Sequence, residues 1–237
     1  MTERDGNRVP ESDVTAMFDD IAPVYDRLNT ILTFGADQGW RRAAVEATEL
    51  RPGDAVADVA CGTGKLTSAL ADRVGPFGRV VGVDLSPVMV AHARDANRDL
   101  VQLEFRVGNA LALPIDDGDV DAATIAFGLR NLSDWEAGFR ELRRVVRPGG
   151  RIVCLELTTP WPRWWATLYL GAFRRIAPLV GRAVGRRGAY GYLPHSLEGF
   201  PSADRLAEIM RSAGLADVSD RRLGLGGVAM HRGVVAR

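Results

Sequence analysis

The chain has 237 residues with 30 basic and 30 acidic side chains, so its formal net charge is zero. Its composition, 46% hydrophobic and 25% charged, is that of a soluble globular protein, and its length suits one well-cored domain with additions. A neutral chain has no general attraction for nucleic acid, and its three histidines show no metal-ligand spacing. We therefore expect neither a nucleic-acid partner nor a metal site.

The cysteines and the apolar segments indicate the cellular compartment of the protein. Cys61 and Cys154 both fall in predicted strands or turns, which favours reduced thiols in the cytoplasm. The first residues are charged and lack the apolar core of a signal peptide, and no stretch approaches a membrane span in length and hydrophobicity. The sequence thus predicts a cytoplasmic protein.

The first fifty residues predict a helical cap. Residues 1–11 are polar and are predicted to be disordered. Ser12 can cap a helix with apolar residues at helical spacing, and a second amphipathic segment runs from about residue 37 to 49. Because these helices precede the first strand, the segment 12–50 could fold over the carboxyl end of the sheet as a lid. The periodicity alone favours a simple cover for the sheet edge.

After residue 51, predicted strands and helices alternate along the chain. The strands are 55–60, 79–84, 103–107, 120–126 and 151–157, and the helices are 65–74, one beginning at Pro87, and 135–146. This alternation is typical of a doubly wound α/β sheet, mostly parallel and covered on both faces. A helix from Ser202 to about 212 and two strands, 217–223 and 228–235, would close the sheet as an antiparallel hairpin. The whole of 12–237 then forms a single domain.

The segment 158–197 departs from this alternation. It contains no acidic residue, and its arginines are interleaved with tryptophan, tyrosine and phenylalanine. Basic residues beside aromatic ones are what a helix on a membrane surface requires, which predicts a peripheral contact with the inner face of the cell membrane through 161–193. The alternative is a lid packed on the core with solvated arginines, and the irregular pattern leaves both open.

The stretch 55–67 carries the clearest chemical signal. It predicts a buried strand, a tight glycine turn and the first turn of a helix, which together form the nucleotide-binding corner of a doubly wound sheet. The dinucleotide pattern fails because Thr67 stands at its third glycine, and the phosphate-loop pattern fails because Val59 stands at its first. What remains is an acid, Asp58, ahead of a Cys-Gly-Thr-Gly turn.

That acid suits a cationic ligand. Asp58 could face the amino group and sulfonium of S-adenosylmethionine, while Gly62 and Gly64 let the backbone approach closely. The pattern resembles motif I of the class I S-adenosylmethionine-dependent methyltransferases, which have a Rossmann-like fold; the alternative is a non-catalytic tight turn. Asp84 ends the second strand about twenty residues further on, where a carboxylate can accept both ribose hydroxyls. Asn109, after the third strand, could bond the adenine edge.

Four further stretches of the sequence resemble motifs of one known protein family. They are 25–29 followed by Gly35 and Trp40, the loop 127–131, the segment 144–151 with Glu156, and 227–233. Together they resemble the ubiquinone/menaquinone biosynthesis C-methyltransferases, over the chain from about Met17 onward. The resemblance implies methyl transfer from S-adenosylmethionine to a ring carbon of a prenylated quinol. It also implies cofactor contacts at Thr63, Asp84, Asn109 and Ala110.

Two positions depart from the pattern of that family. Asp37 stands where histidine is usual, and Ala126 stands where serine is usual near the cofactor. The Asp37 change adds a negative charge near the cap and bears on the identity of the substrate. The alternative to a prenylated quinol is another phenolic or lipid-like small molecule.

The chemistry of the acceptor suggests which residues take part in catalysis. An oxidised quinone is electron-poor, so the acceptor is expected to be the reduced quinol, from whose hydroxyl a base removes a proton. Tyr25, Asp26 or Asp134 could act as that base, directly or through a water, and His195 is a further candidate. Arg130 could stabilise the phenolate. Tyr25 could instead pack within the cap, and Arg130 could pair with an acid in its loop.

An oligomer is compatible with the sequence.

Overall fold

The computed structural model describes residues 11–22, 24–160, 164, 165, 167, 171 and 199–236. The expected disorder of the N-terminus falls almost wholly outside the described residues, as do most of the basic aromatic segment and His195. Within these described ranges, no helix is long and apolar enough to cross a membrane.

Seven strands form one sheet in the order β3-β2-β1-β4-β5-β7-β6. The strands are β1 Ala55–Val59, β2 Arg79–Asp84, β3 Leu103–Val107, β4 Val120–Ala126, β5 Val146–Leu157, β6 Leu215–Leu223 and β7 Val228–Val235. β1 to β5 run parallel, and β7 is antiparallel to both β5 and β6. This confirms the predicted doubly wound sheet with an antiparallel C-terminal hairpin.

Seven α-helices lie wholly within the described residues and accompany the sheet. They are α1 Glu11–Ile21, α2 Tyr25–Leu32, α3 Ala36–Ala47, α4 Lys65–Val74, α5 Pro87–Ala96, α6 Trp135–Val145 and α7 Ala203–Ser212. Ser86, Asp134 and Ser202 cap the last three by accepting a hydrogen bond from a backbone N–H of the first turn. The first three helices form the N-terminal cap.

Helix α2 is not predicted from the sequence pattern. Its N-cap residue, Val24, makes no side-chain capping bond, and the helix has only 8 residues. The helix is supported instead by its surroundings. The Thr33 hydroxyl donates a hydrogen bond to the carbonyl of Asn29 at 2.7 Å. The Asp26 carboxylate accepts a hydrogen bond from the Thr63 hydroxyl, in the turn after β1. Because short helices without caps depend on tertiary contacts, the local signal is weak.

The apolar core lies in two layers, one on each face of the sheet. Phe139 and Leu142 of α6 and Met210 of α7 are buried on one face. Val45 of α3 and Leu70 of α4 are buried on the other. A sheet packed on both faces holds its strand ends in fixed positions.

Strand β5 begins earlier than the pattern predicts. Residues 147–150, which lie between the predicted helix 135–146 and the predicted strand 151–157, belong to the strand Val146–Leu157. Gly149 has φ +82°, and the pairing of β4 with β5 shifts register between Val120 and Ala122. The Pro-Gly-Gly sequence therefore forms an irregular part of the strand rather than a separate turn.

Asp58 is a buried acid within β1. It lies in register with Gly82 of β2 and Thr124 of β4. Its carboxylate accepts hydrogen bonds from the hydroxyls of Thr67 at 2.6 Å and Thr124 at 2.7 Å. Burial raises the pKa of Asp58 from 3.8 to about 6, an effect that the two hydroxyls partly offset. Ionised Asp58 therefore weakens the fold at neutral pH.

This burial predicts a pH-dependent stability. Because the folded pKa of Asp58 is raised, its favourable contribution is fully present below about pH 4 and is lost as the pH rises through about 6. The free energy of unfolding of Asp58→Asn, relative to wild type, should rise by about 2–3 kcal/mol between pH 4 and pH 7. Urea unfolding at several pH values measures this, with Asp95→Asn on the exposed side of α5 as the control. Parallel pH profiles for Asp58→Asn and wild type would show that burial of this acid carries no penalty.

Candidate active site

A cleft opens at the carboxyl ends of the parallel strands, where the order of the sheet reverses between β1 and β4. It measures about 800 Å³ when the volume open to solvent is counted. Its lining comes from the loops after β1, β2, β3 and β4 and from the N-terminal cap. Among the lining residues are Tyr25, Gly62, Asp84, Asn109, Ala110 and Ala126. This is the place where open α/β sheets bind their ligands.

The two glycines of the turn after β1 have different roles. Gly62 has φ +55° and borders the cleft, and among the described residues a Cβ added there would meet only the Tyr25 ring, at 4.0 Å. Gly64 has φ +82°, but a Cβ there would lie 3.0 Å from Asn97 and 3.1 Å from Phe105. Gly62 therefore leaves space for a ligand, whereas Gly64, selected as a cofactor contact, allows the turn to pack on its own side of the core.

Asp84 is held at the end of β2 by two backbone amides. The N–H of Gly62 donates to its Oδ2 at 2.8 Å, and the N–H of Ser86 donates to its Oδ1 at 2.9 Å. Burial raises the pKa of Asp84, while these hydrogen bonds act in the opposite direction. Each carboxylate oxygen has a second lone pair, so the group can accept two more hydrogen bonds from the cleft. A ribose with two free hydroxyls fits this arrangement.

Asn109 and Ala110 border the cleft, together with the apolar side chains of Leu85 and Met89, which the sequence pattern does not identify. Apolar side chains beside an amide suit a flat ring system. The Oδ1 of Asn109 accepts a hydrogen bond from the N–H of Leu111 at 2.8 Å, so the Asn109 side chain is fixed by its own loop. Leu85 directly follows Asp84 in the chain, and this position after the strand end could have identified it.

A second, smaller cavity adjoins the cleft and is charged. It measures about 310 Å³ including open volume, and it shares Tyr25, Ala60, Gly62 and Ala126 with the cleft. Its charged lining residues are Asp58, Lys65 and Arg41. Thr63 also borders it. The sequence pattern predicts cofactor contacts at Asp58, Thr63 and Ala126 but not at Arg41 or Lys65. Lys65 is the one lysine of the chain and directly follows the glycine turn, and this position could have identified it as a site residue.

Two acids of the N-terminal cap bond to the loops of the site. The Ser86 hydroxyl donates to Asp19 of α1, and the Thr63 hydroxyl donates to Asp26 of α2 at 2.8 Å. Asp26 also lies 3.7 Å from the ammonium group of Lys65. The carboxylate of Asp26, a candidate base, is thus engaged with the glycine turn. These bonds attach the cap to the loops after β1 and β2.

Tyr25 opens α2 beside the site. Its ring contacts Phe18 edge to face, with centroids 5.9 Å apart, and it borders both cavities. Of the base candidates within the described residues, Tyr25 is the one that lines the cleft. Asp134 instead caps α6, accepting from the N–H of Ala137 at 2.9 Å.

Arg130 is buried in an ion pair. Its Nη1 lies 2.6 Å from Oε1 of Glu156 and donates to the carbonyl of Phe127 at 2.5 Å. This pairing agrees with the alternative role considered for Arg130, although the acid belongs to the end of β5 rather than to the loop. Asn131, next in the chain, borders the cleft. The ion pair therefore fixes the loop from which Asn131 reaches the site.

Close backbone packing forms the floor between the loops. Ala60 and Phe127 both have left-handed backbone conformations, with φ +54° and +58°. A Cβ on Gly128 would lie 2.3 Å from the Cβ of Ala60, so only glycine lets the loops after β1 and β4 approach this closely. The residues around this floor fit S-adenosylmethionine: paired acceptors at Asp84, an apolar end, and a charged end.

The comparisons with known proteins agree with this geometry. The model of the ubiE/COQ5 methyltransferase family matches residues 6–235. The demethylmenaquinone methyltransferase of Thermus thermophilus is 43% identical over 219 residues, covering 92% of this chain and 99% of that protein. The ubiquinone/menaquinone biosynthesis C-methyltransferase UbiE of Geobacter sulfurreducens is 41% identical over 208 residues, covering 86% and 81%.

Solved structures support the fold. A S-adenosylmethionine-dependent methyltransferase from Aquifex aeolicus superposes with a TM-score of 0.62 at 19% identity, covering 83% of this chain and 89% of that one. The [4+2]-cyclase SpnF superposes with a TM-score of 0.70 at 19% identity, covering 97% and 98%. At such identities the likeness establishes the fold alone. The family match confirms the resemblance: the chain belongs to the ubiE/COQ5 methyltransferase family and is an S-adenosylmethionine-dependent methyltransferase.

Proposed function

We propose that this enzyme methylates a ring carbon of a prenylated quinol in quinone biosynthesis, with demethylmenaquinol as the first candidate. The relatives named as demethylmenaquinone methyltransferases support this choice through their identity over nearly the whole chain. The single observation that carries it is the apolar part of the cleft. Phe18, Phe127 and Leu132 border it beside Tyr25 and Asn131, which suits an aromatic ring with polar substituents.

The residues that hold the cofactor follow from the same cleft. Asp84 accepts the two ribose hydroxyls, and Asn109 and Ala110 contact the adenine. Gly62, Thr63 and Ala126 surround the remainder of the molecule, together with Asp58. Gly64 contributes by shaping the turn. S-adenosylmethionine supplies an electrophilic methyl group on a sulfonium.

The chain's own residues prepare the acceptor. The Tyr25 oxygen takes the proton of the quinol hydroxyl, directly or through a water, while the Tyr25 hydroxyl passes its own proton to a water, and the Asn131 amide donates to the phenolate oxygen that forms. Once the ring carbon carries the methyl group, it loses its hydrogen as a proton to water, which restores the aromatic ring. Arg130 acts by holding this loop against Glu156. The aromatic walls and the cap exclude water, which strengthens these polar contacts. Asp37, the departure from the family pattern, is buried beside Arg41 and adds no exposed charge to the acceptor side.

The redox state of the acceptor tests this proposal. Purified enzyme, S-adenosylmethionine and demethylmenaquinone should give methylated product, detected by mass, only when a reductant keeps the acceptor as the quinol. Tyr25→Phe should lower kcat about 100-fold, within the range for loss of a general base, while leaving the affinity for S-adenosylhomocysteine unchanged.

Equal product from the oxidised quinone would overturn the mechanism. Methyl-donor binding without turnover of any prenylated quinol would instead indicate another phenolic or lipid-like acceptor. Unchanged kcat in Tyr25→Phe would remove Tyr25 as the base.

We further propose that the enzyme is cytoplasmic and meets its substrate at the membrane surface. Phe34, Leu225 and Trp164 are 92%, 76% and 67% exposed. They lie in the α2–α3 turn, the β6–β7 turn and the chain just after β5, all at the carboxyl edge of the sheet that carries the cleft. The indole N–H of Trp165 donates to the carbonyl of Leu225 at 2.9 Å, joining two of these segments. Exposed apolar side chains at this edge, together with the arginines that the sequence contains in 161–193, suit an anionic bilayer.

Vesicle binding tests the membrane contact. Phe34→Ser with Leu225→Ser should lower co-sedimentation with anionic phospholipid vesicles severalfold, since each apolar side chain contributes to insertion. Phe77→Ser is the matched control, because Phe77 is 92% exposed but lies in the turn between α4 and β2, at the opposite edge of the sheet. Equal binding by all variants, or an equal loss with Phe77→Ser, would contradict the proposed face.

A further inference from the structure

Helix α2 brings Tyr25 to the cleft but has little stability of its own. It has 8 residues, and its N-cap residue, Val24, makes no side-chain capping bond. A helix this short and uncapped is held in place by tertiary contacts rather than by its own propensity. The position of the Tyr25 ring in the cleft therefore depends on what the first turn of α2 contacts.

Asp26, the second residue of α2, contacts the turn after β1. Its Oδ1 accepts a hydrogen bond from the Thr63 hydroxyl at 2.8 Å and lies 3.7 Å from the ammonium group of Lys65. The side chains of Asp26 and Lys65 are 36% and 34% exposed, so solvent weakens their ion pair and it contributes little. The shorter and directional hydrogen bond from Thr63 is therefore the contact that fixes the start of α2.

The Tyr25 ring packs on the same turn. It lies 4.0 Å from the position that a Cβ on Gly62 would occupy, and it also contacts Phe18 of α1 edge to face, with centroids 5.9 Å apart. Among the described residues that line the two cavities, Tyr25 and Thr63 are present and Asp26 is not. Asp26 is thus outside the lining of the cleft and reaches the acceptor through its neighbour, Tyr25.

We propose that Asp26 is a positioning residue that places the Tyr25 base. By accepting the Thr63 hydroxyl, it attaches the first turn of α2 to the glycine turn, which holds the Tyr25 ring beside Gly62. The loop that shapes the cofactor site then also sets the distance between the base and the acceptor. This inference rests on the proposed role of Tyr25 in removing the quinol proton. Asp26 itself exchanges no proton with the substrate.

Kinetics in two backgrounds test this role. At saturating S-adenosylmethionine and quinol, Asp26→Ala should lower kcat about 10- to 100-fold in the wild-type background, because a base displaced by about 1 Å loses this much rate. In the Tyr25→Phe background the same substitution should lower kcat by less than about twofold, since the effects of residues that act as a unit are not additive. A loss of equal size in both backgrounds would show that Asp26 only supports the fold, and would overturn the proposal.

Asp26→Asn separates the hydrogen bond from the charge. The amide oxygen of asparagine can still accept the Thr63 hydroxyl, so this variant should keep kcat within about threefold of wild type. A loss as large as that of Asp26→Ala would contradict the proposal, because it would show that the reaction needs the carboxylate charge.

Calorimetric titration with S-adenosylhomocysteine reports whether the variants keep an intact cofactor site. Water can replace the partly exposed Asp26 carboxylate at the Thr63 hydroxyl, so the affinity of Asp26→Ala should stay within about threefold of wild type. A loss of affinity as large as the loss of kcat would show a damaged site rather than a displaced base. Arg27→Gln is the matched control, because Arg27 is the next residue of α2 and is exposed, and it should match wild type in both measurements.

Failure of this inference is distinct from failure of the proposed base. If Tyr25→Phe keeps the wild-type kcat, the assignment of the base is wrong and the positioning role falls with it. If Tyr25→Phe lowers kcat while Asp26→Ala does not, the base stands and the positioning role is overturned.

Discussion

The hydrogen bonds from the Gly62 and Ser86 amides to the Asp84 carboxylate are the contacts on which the site depends. They join the loops that follow β1 and β2 and fix the position of a charge that burial would otherwise make unfavourable. The cap is attached to the same loops, through Asp19 at Ser86 and Asp26 at Thr63. A substitution in the loops after β1 and β2 would therefore affect both the cleft and the attachment of the N-terminal cap.

A second buried charge pair fixes the opposite wall. Arg130 and Glu156 hold the loop after β4 to the end of β5, and Gly128 lets that loop approach Ala60. Removing one partner of such a pair leaves an uncompensated buried charge, which typically destabilises by about 3–5 kcal/mol. The cleft lining does not include Arg130 or Glu156, so this ion pair acts on the cleft through the loop that it holds.

Much of the fold and part of the site could be predicted from the sequence. Regular alternation of apolar strands and helices defines the sheet, and the turn after β1 identifies the cofactor corner, because both signals are local. The sequence pattern does not predict helix α2, because this helix lacks a capping side chain. The different surroundings of Gly62 and Gly64 depend on what lies opposite each glycine, and the position of Arg41 at the second cavity depends on how α3 packs beside β1 and α4. Such information appears only when distant segments are brought together.

The central claim is that Asp84 recognises the ribose of the cofactor, and its most direct test compares two ligands on two proteins. Calorimetry would measure S-adenosylhomocysteine and an analogue lacking both ribose hydroxyls, on wild type and on Asp84→Asn. We expect wild type to prefer the natural ligand by about 10-fold or more, since hydrogen bonds to a carboxylate are lost in the analogue. We expect Asp84→Asn to bind both ligands weakly and with little preference. If Asp84→Asn keeps the full wild-type preference, the claim is wrong.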